Sequence, residues 1–294
     1  MSESTIDTRD DVATLEAGLD ALDAPTSVRE SWRARFGRSV LPPIVAVAFF
    51  LLVWIVVVQL HLKPTYVIPP PSDVWSTLQQ GWEAGTVQQA VWNSLRRAFV
   101  GFTISVIVGT ALGLLLAQSR FVRTAIGPLV SGLQALPSVA WVPAAIIWFG
   151  LSDAAIYAVV LLGAVPSIAN GLLAGVRQVP PIYLRVGRVL GARGFAAIRY
   201  VVLPAAMPGY LAGLRQGWAF AWRSLMAAEL ITFSPELGVS LGQVLQTGRE
   251  LSDMSLVIAA ILLILVVGVG IEVLVFSPLE RRLLASRGLS VGAR

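Results

Sequence analysis

His61 is the only histidine of the 294-residue chain, Lys63 is the only lysine, and cysteine is absent. That inventory bounds the chemistry the chain performs alone. A phosphate-binding P-loop needs Gly-Lys-Ser/Thr, whereas Lys63 stands in Leu-Lys-Pro. Zinc centres of clustered His and Cys are excluded, as is a Ser-His-Asp triad with any base but His61, which has no evident partner. Without cysteine there is no disulfide framework. The side chains left with chemical reach are charges set in apolar sequence: Arg215, Arg223 and Glu229 fall within one hydrophobic stretch. A charge there costs about 2.5–3.5 kcal/mol or more unless it meets protein or water, so all three are expected to point inward.

At 100° per residue Arg215, Trp222 and Glu229 are successive steps of seven and share one helix face. Arg215 and Glu229 stand roughly 21 Å apart along the axis, too far to pair. A guanidinium at mid-membrane favours an anion such as a sulfonate, nitrate or bicarbonate through charge and planar hydrogen bonding. The alternative is a structural arginine satisfied by carbonyls or by a carboxylate on another helix, such as Glu272. Arg223 lies on a different face and reads equally well as a side chain reaching for the interface. Pro137 and Pro143, flanking Ser138 and Trp141, interrupt another apolar stretch. Backbone groups freed there must face protein or a water-lined cavity, which gives either a pathway-lining helix or an ordinary buried kink. The candidate pathway residues are therefore Pro137, Ser138, Trp141, Pro143, Arg215, Trp222 and Glu229, with no metal site among them.

The elements that must position these residues are membrane helices. Hydrophobic residues make up 56% of the chain and charged ones 13%, against about 25% charged in an average soluble domain. Six apolar runs of spanning length follow: 41–60, 98–117, 126–149, 154–174, 205–232 and 255–276. Residues 1–38 read as a disordered acidic tail followed by a basic segment, Arg29 to Arg38, and 289–294 as a short tail. The first run lies too far from the N-terminus for a cleaved signal peptide and reads as an anchor. Arginines crowd alternate connections: 29–38, 120–123, 177–199 and 281–287. Positive charge retained on the cytoplasmic side places both termini there. The net charge of +5 thus reflects topology, with no basic stripe for nucleic acid. Residues 72–97, carrying Trp75, Trp82 and Trp92, read as one amphipathic helix outside the membrane. Gly109 with Gly113, Gly171 with Gly175, and Gly209, Gly213 and Gly217 mark faces for close helix approach. No internal repeat is evident, against secondary transporters of two similar halves.

The connection 175–204 is unusual at about 30 residues, when most run about 4 to 6. It holds Arg177, Arg185, Arg188, Arg193 and Arg199 and no acid. Leu184, Val186, Val189 and Leu190 follow helical spacing, and a helix over 185–190 stopped by Gly191 is expected. Gly191 is followed by nine residues and then by Val201, Val202, Leu203 and Pro204. This pattern resembles the cytoplasmic signature of permeases of ATP-binding cassette importers: Glu-Ala-Ala, three residues, Gly, nine residues, an aliphatic, one residue, Leu-Pro. Arg185, Val186 and Gly187 stand where the family has Glu-Ala-Ala, so a cation occupies the position of the acid that the family offers its ATPase. Residues 136–143 and 148–150, Ala221-Trp222, 227–229 and 279–282 look like the sulfonate, taurine and nitrate branch of that family, over about 64–288.

The resemblance implies an all-α integral membrane protein with six transmembrane helices and the type I importer permease (MetI-like) fold. It implies a permease domain over 39–288, working as a homodimer in the bacterial inner membrane, among lipid. Two ATP-binding cassette subunits would bind the ATP and Mg, since this chain carries no cofactor, and an extracytoplasmic binding protein would deliver a small anion. Arg185, Val186, Gly187, Val189, Leu190, Gly191, Ala192, Leu203 and Pro204 would couple the chain to the ATPase. An ion-coupled secondary transporter, with Glu229 and Glu272 as its carboxylates, and a permease for another small nutrient are the alternatives.

Overall fold

The protein is described by a computed structural model over residues 41–232 and 234–285. The acidic tail and the C-terminal tail expected above lie outside these residues. The chain up to Val57 forms one unit and Val58 onward a second. The first contains most of α1 (Leu41–Gln59), which has no ionisable residue and a mean hydropathy of 2.8. At 1.5 Å per residue it is about 28 Å long, enough to cross a bilayer.

The regular elements among the described residues of the second unit are helices: α2 (Pro71–Glu83), α3 (Thr86–Gln118), α4 (Arg120–Ala135), α5 (Ser138–Phe149), α6 (Asp153–Arg177), α7 (Pro181–Val189), α8 (Phe195–Ile231), α9 (Leu241–Glu250) and α10 (Met254–Ala285). Among the described residues five helices, α1, α3, α6, α8 and α10, are long and apolar enough to span a membrane, and the count is six if the bent pair α4–α5 is one span.

Helix α6 is the centre of the bundle, packed by α3 on one side and α8 on the other. Glycine sets both contacts. A Cβ on Gly109 of α3 would come within 2.8 Å of Ile168, and one on Gly113 within 2.9 Å of the Ala169 carbonyl. Across the other contact, Gly175 faces Ala206 and Gly209, and Gly171 faces Gly213 backbone to backbone. Lipid tails are as apolar as leucine, so hydrophobicity does not hold helices together here; van der Waals contact of close backbones does. Above these crossings Ile156, Val160, Ala164 and Ile168 pack on Trp218, Ala221, Trp222 and Leu225.

Several boundaries differ from the sequence reading. The external helix expected over 72–97 is broken at Gly85, which adopts φ +77. Helix α3 starts there, so Arg96 and Arg97 belong to a spanning helix and not to a connection. The run 126–149 is not one straight helix: α4 and α5 meet at 100°, the geometry of a broken span or a re-entrant loop. Leu136 is extended because proline disfavours a helical residue before it. Pro143 produces no break, sitting in the first turn of the α-helical part of α5, where its missing N–H is not needed. Much of the connection 175–204 is itself helical, since α6 runs to Arg177 and α8 begins at Phe195.

Candidate docking and pathway sites

Helix α7 begins at Pro181, preformed for a first helical position, and ends at Val189, so it is longer than the 185–190 expected. Gly191 takes φ +85. Its N–H donates to the Arg188 carbonyl at 3.1 Å and the Ala192 N–H to the Gly187 carbonyl at 2.8 Å, the paired bonds of a Schellman stop. No atom would meet a Cβ on Gly191, so only the left-handed backbone calls for glycine there. Gly187 is required for space instead: its Cβ would come within 2.8 Å of Val201. Val201 lies in a π-helical turn (Ile198–Val202) that leads into Leu203 and Pro204. The spacing from Gly187 through Gly191 to Pro204 is therefore one packing unit seating α7 on the root of α8. Tyr183, Leu190, Tyr200 and Pro204 flank a groove of about 900 Å³ beside it. Outward, α7 presents Arg185, Val186, Arg188, Val189 (87% exposed) and Leu190 (80% exposed).

Along α8, between Ala212 and Arg223, the exposed residues are Ala212, Arg215, Gln216 and Arg223. Trp222 and Glu229 are buried, so the shared face of Arg215, Trp222 and Glu229 is not a single site. Arg215 reaches α10, pairing with Glu272 and, at 3.1 Å, with Glu280. These three groups line a cavity of about 490 Å³, in which both carboxylates are already within ion-pair distance of Arg215. Arg223 has no carboxylate within ion-pair distance among the described residues. At the α4–α5 elbow, the Ser224 hydroxyl donates to that of Ser138 at 2.7 Å, pinning the elbow to α8. Pro137 is exposed beside it, and Trp141 is half-buried in the turn that enters α5.

The largest buried polar structure was not anticipated. Arg97 is fully buried. Its Nε donates to Asp153 at 2.7 Å, Nη1 to Glu229 at 3.2 Å and Nη2 to the Leu237 carbonyl at 2.6 Å. Glu229 also accepts from the Ser94 hydroxyl (2.7 Å) and the Gly242 N–H (3.3 Å). The Leu241 N–H donates to Ser94, and Asn93 donates to the Val239 carbonyl. The knot ties the ends of α3, α6 and α8 to the start of α9. Gly242 lets α9 close over it, since a Cβ would meet Glu229 at 2.5 Å. The sequence held a signal for it: Ala90, Ser94, Arg97, Gly101, Ser105, Gly109 and Gly113 recur every three or four residues, and Arg97 sits in that small-residue stripe.

Known proteins share this architecture. Residues 109–280 match the family of binding-protein-dependent transport system inner membrane components. The taurine transport system permease TauC of Escherichia coli K12 is 31% identical, over 87% of this chain and 94% of that protein. The nitrate import permease NrtB of Synechocystis sp. PCC 6803 is 30% identical, over 81% of this chain and 87% of that one. Inward-facing structures of the methionine ABC transporter MetNI include a chain that superposes with a TM-score of 0.58 at 19% identity, covering 67% of this chain and 96% of its own. A crystal structure of an amino acid ABC transporter superposes at 0.57, covering 70% and 97%. At such identities the superpositions speak for the fold alone, and that fold is the MetI-like one. The chain belongs to the binding-protein-dependent transport system inner membrane components, as the multi-pass inner-membrane permease subunit of an ABC importer.

Proposed function

We propose that two copies of this chain form the translocation pathway for a small anion, driven by two ATPase subunits that dock on α7 and fed by a binding protein on the opposite side. ATP and Mg sit on the ATPases. The termini and α7 lie in the cytoplasm, following the arginine-rich connections. The named cargoes of the relatives TauC and NrtB, taurine and nitrate, favour an anionic solute.

The observation that carries the docking role is the exposed end of α7. Val189 and Leu190 stand exposed at the end of a helix that is locked against Val201 of α8 at Gly187. A partner gripping them moves α8 directly, because Gly187 leaves no slack between the two helices. Arg185 offers that partner a cation where the family supplies an acid, which calls for a complementary acidic side chain on the ATPase. The chain lacks cysteine, so Val189→Cys introduces a single thiol. Co-expressed with the ATPase subunit carrying scanning cysteines, it should cross-link to that subunit. Cross-linking only between permease copies would remove α7 as the docking element.

A further inference from the structure

Arg223 stands eight residues before Ile231, where α8 ends, hence about 12 Å from that end. An arginine relieving its charge by snorkelling extends toward the nearer water. Arg223 does the reverse. Its Nε donates to the Ala219 carbonyl at 3.0 Å, and its guanidinium lies 4.7 Å from the centre of the Phe220 ring. Both residues precede it, so the side chain runs back along the helix, away from the nearer end. Arg223 is exposed, and beyond the Ala219 carbonyl and the Phe220 ring it meets no carboxylate among the described residues, so the outer face of its guanidinium is open to an anion.

Beside Arg223 a groove of about 510 Å³ runs between α8 and α10, walled by Trp218, Trp222, Ile261, Leu265 and Val269. Gly268 faces Trp222 across it, where a Cβ would lie 3.0 Å from the indole nitrogen. Glu272 stands at the groove's other end, already paired with Arg215. Arg223 thus stands at one end of a trough whose walls are apolar and whose far end holds the paired Glu272. Nitrate or bicarbonate would leave these walls unused, whereas an oxyanion with an apolar chain uses both parts.

We infer that this groove binds an oxyanion bearing a short apolar chain, its charged head on Arg223 and its chain along Ile261, Leu265 and Val269. Two sources share this chemistry, an organosulfonate cargo and an anionic phospholipid. Only the cargo source rests on the anion-pathway reading. The test therefore measures binding without ATPase: the full chain in phosphatidylcholine nanodiscs, titrated with octanesulfonate, methanesulfonate and octanol. Octanesulfonate should bind saturably and at least tenfold more tightly than either of the others, and Arg223→Gln should weaken it at least tenfold while Arg223→Lys retains part of the affinity. Displacement by added phosphatidylglycerol would make the lipid the natural occupant, and persistence of octanesulfonate would make it the cargo; either supports the site. Equal affinity of the wild type for octanesulfonate and octanol overturns it, and this comparison stands even if Arg223→Gln fails to insert. So does unchanged affinity in a folded Arg223→Gln protein, including one that loses only its dimer, which would assign Arg223 to a subunit contact. Failure of ATP-driven uptake bears on the transport reading and leaves this measurement intact.

Discussion

Replacing Arg97 by methionine keeps most of the side-chain volume and removes the cation from the buried knot. Glu229, 1% exposed, would keep its bonds from Ser94 and Gly242 but lose its counter-charge, and the Leu237 carbonyl would lose its donor. Breaking a buried ion pair from one side costs about 3–5 kcal/mol, because the remaining charge is left uncompensated. At roughly 2–4 °C per kcal/mol for a chain of this size, the melting temperature should fall by about 6–20 °C. The Glu229→Gln change alone should also destabilise, by orphaning the guanidinium. Combined with Arg97→Met it should cost much less than the sum, leaving a coupling of about 2 kcal/mol or more. Intrinsic-fluorescence melts of the four proteins in one detergent provide the cycle. An Arg97→Met protein melting within 2 °C of wild type, with additive single effects, would refute the claim that the knot fastens α9 to the bundle.

The glycine contacts predict a contrast: Gly213→Ala puts a Cβ 2.6 Å from the Gly171 Cα, backbone that cannot step aside, and should cost about 1–3 kcal/mol or more. Gly270→Ala, with open space around it, should stay within about 0.5 kcal/mol of wild type in the same melt. Gly191→Val must carry about 1–2 kcal/mol of left-handed strain or redirect the chain; the assembled complex should still bind ATP but lose substrate-stimulated hydrolysis, so normal stimulation would clear α7 of the coupling role. Topology is checked with single thiols at two exposed positions, Arg193→Cys and Thr247→Cys: an impermeant maleimide applied to intact cells should label the second and spare the first.

The spanning helices were legible because their signal is compositional: long apolar runs announce themselves whatever packs on them. The glycine pairs and the left-handed Gly191 were legible for a related reason, since each reports a local demand for no side chain or for positive φ. What escaped depended on partners distant in sequence. Arg97 looked like a connection charge because its acceptors lie 56, 132 and 140 residues away. Arg215 looked available to an anion because nothing local shows that Glu272 and Glu280 turn toward it. The elbow at Pro137 was marked in sequence, but its 100° bend and its contact through Ser138 with Ser224, 86 residues away, were not. Gly85 escaped because helical periodicity continues on both sides of it, so only its backbone angle reveals that α2 and α3 are separate helices.

The central claim is that this chain is a conduit whose energy comes from a partner's ATP. Proteoliposomes holding the permease and its ATPase, supplied with the binding protein outside and ATP within, should accumulate a radiolabelled organosulfonate, stop when the ATPase is inactivated, and be indifferent to collapse of proton and sodium gradients. Accumulation by the permease alone, driven by an ion gradient and independent of ATP, would contradict the account.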